Sequence, residues 1–253
     1  AYQSAYVTES IALAAIAQDG TQSNGESTWP SVSGDGNLVT ISTRATNFEP
    51  GDPNGYNDIY VKNMTTGVLT LVSSDSDGNF GNQGASYAEI STDGNFVCFE
   101  SQSSGFVSGD NNGNNSDIYV KNLTTGQTSL ASSTAAGVVG GYGSGECDIT
   151  DDGRYVVFRS SATNFVENDI NNMPDIFMKD MQTGAITLIS VAADGTRSNG
   201  QSWDPAISGD GQYIVFQSEA SNLVAGDSNG NYDVFRKNVS TGAIEIVSVA
   251  YGG

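Results

Sequence analysis

The residues of this chain best suited to chemistry are short runs of Asp and Asn that return four times. Asp52, Asn54, Tyr56 and Asp58 stand at positions one, three, five and seven of one loop. Asp227, Asn229, Asn231 and Asp233 repeat the pattern, and Asp169, Asn171, Met173 and Asp175 keep it with methionine in fifth place. A further copy, Asp110, Asn112 and Asp117, carries one extra residue between its Asn and its last Asp. Side-chain oxygens at one, three and seven, with a backbone carbonyl at five, could wrap a hard cation such as Ca²⁺. The plainer reading is a turn, because Asp and Asn bond their own backbone and Gly supplies positive φ. Two carboxylates in one short loop repel each other, which a mere turn would avoid, so Ca²⁺ is ranked ahead. Extracellular sites of this kind bind at roughly 10⁻⁴ to 10⁻³ M. The copy with the insertion is expected to have lost or altered its site.

Other chemistry is thinly supplied. The sequence has no histidine, which removes the commonest general base and the commonest transition-metal ligand. Cys98 and Cys147 form no metal-ligand pattern. Buried free thiols are narrowly preferred over a pair, which would require the fold to bring them together. The net charge is −20, from 29 acidic and 9 basic side chains, so phosphate backbones and anionic lipid are repelled and cations attracted. Nucleic acid and membrane insertion are therefore excluded as expectations. The run Ile11–Ala17 is too short to span a bilayer and lacks basic flanks. The chain reads as a mature, secreted protein of the cell exterior or surface.

The elements that must position these residues are repeats. Asp35, Asp93, Asp152 and Asp210 each precede a glycine at steps of 58, 59 and 58. Asp58, Asp117, Asp175 and Asp233 keep the same register, as do the turn glycines Gly67, Gly126, Gly184 and Gly242. Each unit predicts four short strands. A small-residue strand (Pro30 to Ser33; Ala206 to Ser208) precedes the Asp-Gly turn. An apolar strand such as Phe96-Val97-Cys98-Phe99 follows it, suited to burial on both faces. An alternating strand begins at Asp58 and its equivalents, and a fourth follows the Thr-Gly turn. The fold class is all-β: a β-propeller of four four-stranded antiparallel blades with an additional N-terminal outer-type strand. Residues 1–25 form that strand and a linker. Residues 26–253 form the propeller, with blades at about 26–78, 79–136, 137–194 and 195–253.

The stretch Ser208 to Gly242, including Ala220, Asn222, Leu223, Gly226, Asp227, Asn229 and Asp233, resembles the WD40-like repeats of TolB-type propellers in their bacterial extracellular form. The resemblance covers essentially the whole chain and is specific for the fold. It implies a scaffold, a partner-binding domain or a substrate gate.

Segment Ser10–Gly25 aligns with Ala185–Gly200, so it is an outer strand belonging to a blade before the first. Three explanations stay open: a fifth strand on a blade edge, a fragment of a larger propeller, or donation to a neighbouring subunit through residues 9–17, which could build a filament. Donation is ranked first by a narrow margin. The innermost strands are expected to present Glu89, Glu146 and Asp148 near a central channel, where a carboxylate pair could serve glycoside hydrolysis. Trp29 and Trp203 could stack on sugars, although core packing is the stronger reading. Asn63, Asn122 and Asn238 match the glycosylation pattern but fall where a turn expects Asn. The function read from the sequence is therefore a secreted, non-enzymatic structural or adhesive module, Ca²⁺-stabilised and self-assembling. A glycan- or protein-recognition domain binding over one face is the alternative, and a carboxylate enzyme comes last.

Overall fold

The computed structural model describes residues 12–48, 52, 54–167, 169 and 173–248. Among them are sixteen strands and no helix, hence none long and apolar enough to cross a membrane. Blade 1 holds β1 (Ser27–Val32), β2 (Leu38–Thr43), β3 (Asp58–Asn63) and β4 (Leu69–Leu71). Blade 2 holds β5 (Ala85–Ile90), β6 (Phe96–Ser101), β7 (Asp117–Asn122) and β8 (Thr128–Leu130). Blade 3 holds β9 (Ser144–Ile149), β10 (Tyr155–Ser160), β11 (Asp175–Asp180) and β12 (Ile186–Leu188). Blade 4 holds β13 (Ser202–Ile207), β14 (Tyr213–Ser218), β15 (Asp233–Asn238) and β16 (Ile244–Ile246). Within each blade the strands pair antiparallel in chain order.

Local chemistry explains the repeat anchors. In the Asp-Gly turn the Ser33 hydroxyl donates to Asp35 at 2.6 Å, the Asn37 amide donates to the same oxygen, and Gly36 takes φ 74°. The set recurs at Ser91/Asp93, Thr150/Asp152 and Ser208/Asp210. In the Thr-Gly turn, Asn63 accepts the amides of Thr65 and Thr66, as Asn122 and Asn238 do in their blades. Those asparagines are turn formers.

Blades pack face to face through aromatic and branched side chains. Ile59, Val61 and Val72 of blade 1 meet Val97, Phe99 and Tyr119 of blade 2, and similar clusters join blades 2 and 3 and blades 3 and 4. Three of the four lysines reinforce these joints. Lys121 donates to the Ser74 and Asp75 carbonyls of the preceding blade, Lys179 to Ser133 and Thr134, and Lys237 to Val191. Burial lowers the pKa of all four ammonium groups, that of Lys237 to about 8.

The fourth lysine places the N-terminal segment. Lys62 donates to Ile16 at 2.9 Å, and the Ile16–Gln22 bridge repeats Ser74–Phe80, Ser133–Val139 and Val191–Arg197. Ala17 packs with Ile41, Ala45, Phe48 and Tyr60. The segment thus stands where the outer turn of a preceding blade would stand. Residues 12–17 form no strand, only the isolated bridge at Ile16; Ser10 and Ile11 lie outside the described residues.

The four blades form an arc. β1 neighbours β5, β5 neighbours β9 and β9 neighbours β13, whereas β13 and β1 share no comparable contact among the described residues. The exposed ends differ from the buried joints. Val32, on the leading face of blade 1, is 56% exposed while its equivalents Ile90, Ile149 and Ile207 are buried. Val247, on the trailing face of blade 4, is 45% exposed while Val72, Ala131 and Ile189 are buried. On that face Arg236 replaces Val61, Val120 and Met178, pairs with Glu245 and lies over Tyr213, so it carries a hydrated surface.

The preference for free thiols is corrected. Cys98 on β6 and Cys147 on β9 form a disulfide with Cα atoms 6.3 Å apart. The bond ties blade 2 to blade 3. Adjacent blades place the second strand of one beside the first strand of the next, a juxtaposition invisible to the 58-residue period.

Candidate functional site

Each innermost strand carries one residue that its partner strand does not match. In blade 1, Thr28 faces Ser42 and Ser31 faces Thr40, so Trp29 and Pro30 share one opposing position; the other blades show the same irregularity. At the bulge the backbone turns left-handed, with φ 49° at Trp29, 50° at Tyr87, 54° at Glu146 and 48° at Asp204. Glycine ordinarily fills such positions, and a bulky side chain there costs on the order of 1 kcal/mol or more. The bulge also lets β1 and β13 begin at Ser27 and Ser202, before the expected Pro30 and Ala206.

All four bulge residues line one cavity of about 330 Å³, with Pro30, Ala88, Glu89, Cys147 and Pro205. Trp29 and Tyr87 form a pair with ring centroids 4.1 Å apart, and they are 48% and 37% exposed. Trp29, expected to favour packing, therefore opens onto the channel. Trp203 instead packs edge-on against Tyr232 at 5.1 Å.

Glu146 lies 3.2 Å from Arg159 and accepts the Asp204 amide at 2.9 Å. The Asp204 carboxylate accepts from Gln217 at 2.9 Å. Asp148 accepts the amides of Ile207 and Ile149, joining blade 3 to blade 4. Burial raises the pKa of Glu89, Glu100 and Asp148; repulsion adds to it at Glu89 from Asp148 and at Glu100 from Glu146. The structure brings together the expected Glu89, Glu146 and Trp29. Sequence reasoning missed Tyr87 and Arg159, although Trp29, Tyr87, Glu146 and Asp204 occupy one column of the repeat.

The Asp/Asn loops lie between the second and third strands, and none of their residues lines the cavity. The seventh-position Asp has a structural partner in every blade. Asp58, Asp117, Asp175 and Asp233 accept from Ser73, Ser132, Ser190 and Ser248, whose oxygens take the next backbone amide. Asp52 accepts the amides of Asn54 and Gly55, and Asn54 accepts that of Tyr56, an exposed residue. Asp110 accepts the Tyr119 hydroxyl. Asn112 donates to Asp117 at 2.8 Å, and Asn229 donates to Asp233 at 2.8 Å while accepting the Asn231 amide. Asp169 is buried, Met173 is half-buried, and Asn171 lies outside the described residues. Among the described residues no group of three or more His, Cys, Asp or Glu stands close enough to hold a metal ion.

No protein-family model and no curated protein matches the chain. Solved structures do. TolB from Acinetobacter baumannii aligns over 88% of this chain and 43% of its own, at 20% identity and TM-score 0.53. A putative TolB from Agrobacterium tumefaciens aligns over 90% and 64%, at 16% identity and TM-score 0.57. The β-propeller domain of the Trilobed protease from Pyrococcus furiosus, described as having an open velcro topology, aligns over 88% and 57%, at 13% identity and TM-score 0.51. The chain thus spans 43–64% of the length of these proteins. The likeness shows a β-propeller fold of the TolB type.

Proposed function

Taking the chain as a β-propeller of the TolB type, we propose that it is a non-enzymatic recognition module holding a glycan or protein partner at the channel mouth. The observation that carries this reading is the convergence of Trp29, Tyr87, Glu146 and Asp204, each on a strained backbone, around one open cavity. Strained positions cluster where geometry serves binding. The disulfide suits an oxidising compartment outside the cytoplasm. A carboxylate enzyme is less well supported, because Glu146 is tied to Arg159 and Asp148 to the blade 4 backbone. Arrays of glycans and peptides should return a set of ligands that the Trp29→Ala/Tyr87→Ala double variant no longer binds. Ligands that survive the double variant, or turnover lost in Glu89→Gln, would overturn the reading.

A structural, adhesive and self-assembling role is the second reading, favoured by the uncovered faces at Val32 and Val247. Strand donation through residues 9–17 would require residues 12–17 to leave blade 1 of their own chain.

Ca²⁺ is proposed for the loops of blades 1 and 2. Buried oxygens of Asp58, Asp110 and Asn112 have no hydrogen-bond partner there, which fits a cation, whereas both Asp233 oxygens in blade 4 are engaged. Blade 2, with its insertion, thus keeps oxygens suited to the ion. Burial, then repulsion from Asp52 and Asp110, raises Asp58 and Asp117 to about 6. A carboxyl group raised in the folded state lends its full stability below the unfolded value near 4 and loses it as pH rises through 6. In EDTA, urea unfolding should therefore show stability falling from pH 4 to 7 by roughly 3 kcal/mol for each group. Millimolar Ca²⁺ should restore it above pH 6. A melting temperature at pH 7.5 that Ca²⁺ leaves unmoved would remove the ion from the account.

A further inference from the structure

We propose that the channel mouth is a site for an alkylammonium group, laid over Trp29 and Tyr87 with its charge among Glu89, Glu146 and Asp204. The inference rests on the recognition reading and names the ligand chemistry. Three features point to a cation. The aromatic faces are the first: Trp29 and Tyr87 contact each other, remain 48% and 37% exposed and line the cavity, and an indole or phenol face attracts a cation. The second is the charge opposite. Glu89, Glu146 and Asp204 line the same cavity, and the arginine paired to them, Arg159, is bound to Glu146 alone among the three. Asp204 is exposed and offers a carboxylate held toward Gln217, so one of its oxygens is already oriented.

The third feature is how the residues are held. The same repeat position is aromatic in blades 1 and 2 and acidic in blades 3 and 4, so the two halves of the arc present two different surfaces to one opening. An alkyl chain with a terminal ammonium matches that division, its methylenes on the rings and its charge on the acids. A neutral sugar would use the rings but bring no counter-charge to Glu89 and Asp204, the two lining acids that Arg159 does not pair with. The cavity, about 330 Å³, lies at the small end of ligand pockets and suits a side chain or a small amine. Burial and mutual repulsion already raise Glu89, and an ammonium would favour its charged form.

The test uses the whole chain carrying Trp203→Phe, in which Trp29 is the remaining tryptophan and its emission reports the site. It is titrated with spermidine, with the peptide acetyl-Gly-Lys-Gly-amide, with maltotetraose and with sodium chloride at matched ionic strength. The expected result is a saturable change with one or both amines and none with salt alone. Response to the peptide but not to spermidine identifies a lysine side chain as the source; the reverse identifies a free polyamine. Tyr87→Leu should weaken amine binding by ten-fold or more, and Glu146→Gln and Asp204→Asn by roughly ten-fold each. Asp204→Asn keeps the Gln217 bond and an exposed position, so it serves if Glu146→Gln fails to fold. The proposal is overturned if salt reproduces the change, or if affinity is the same in Tyr87→Leu and Asp204→Asn. Binding of maltotetraose without the amines overturns the ammonium assignment and leaves the recognition reading standing. Silence of all four probes, with arrays that return nothing, overturns both.

Discussion

Replacing Cys98 and Cys147 together by alanine is expected to lower the melting temperature by roughly 10 °C and to broaden the transition. The bond closes a chain segment with a sequence separation of 49, and loop-closure entropy of that size corresponds to roughly 4 kcal/mol of stability. In a chain of this length each kcal/mol moves the midpoint by roughly 2–4 °C. The position of the bond adds a second effect. It joins blade 2 to blade 3, the middle joint of four blades in an arc, and among the described residues no contact comparable to those between neighbouring blades closes the arc. Without the bond the array behaves as a line of units coupled only to neighbours, so the two halves gain freedom to melt separately. Differential scanning calorimetry reads both effects. A shift within about 2 °C and an unchanged width would mean that side-chain packing between Val156, Phe158 and Ile118 already fixes that joint.

Second in size is Lys121→Met, expected to cost roughly 3 kcal/mol in urea unfolding. The Lys121 ammonium is buried and donates to the Ser74 carbonyl and hydroxyl, the Asp75 carbonyl at 2.8 Å and the Thr128 hydroxyl at 3.1 Å. Methionine fills the volume but donates nothing, and each buried acceptor left without a donor costs about 1–3 kcal/mol. Some of that is returned because a desolvated charge is removed, as its lowered pKa indicates. The comparison is Lys62→Met. Lys62 donates to the Ile16 carbonyl, and the same change there should cost about 1 kcal/mol. Equal costs at the two sites would mean that the charge, and not its bonds, sets the balance.

The fold was legible because its anchors are local chemistry. A Ser or Thr two residues before an Asp, followed by Gly, builds the same turn wherever it occurs, and four turns in one register define four blades. The fourfold Asp at the head of each third strand was read toward a cation, while its structural partner, a serine fifteen residues on, was overlooked. Those serines, Ser73, Ser132, Ser190 and Ser248, keep the register as faithfully as the aspartates do.

The channel site was harder to see for the opposite reason. Trp29, Tyr87, Glu146 and Asp204 share a position but no residue type, two being aromatic and two acidic, so a search for recurring residues passes over them. Their common feature is a backbone angle, and that depends on a bulge between strands that no single segment encodes. Cys98 and Cys147 escaped likewise, since they occupy different strands of their respective blades and meet only because blades are stacked.

The fate of the four lysines has a practical side. With three of them turned into the joints between blades and Lys62 into the contact with the N-terminal segment, the folded chain offers no exposed lysine amine to reagents that couple through one. Exposed carboxylates such as Asp35, Asp194 and Asp210 offer a route for tagging, immobilisation or cross-linking of the native protein instead.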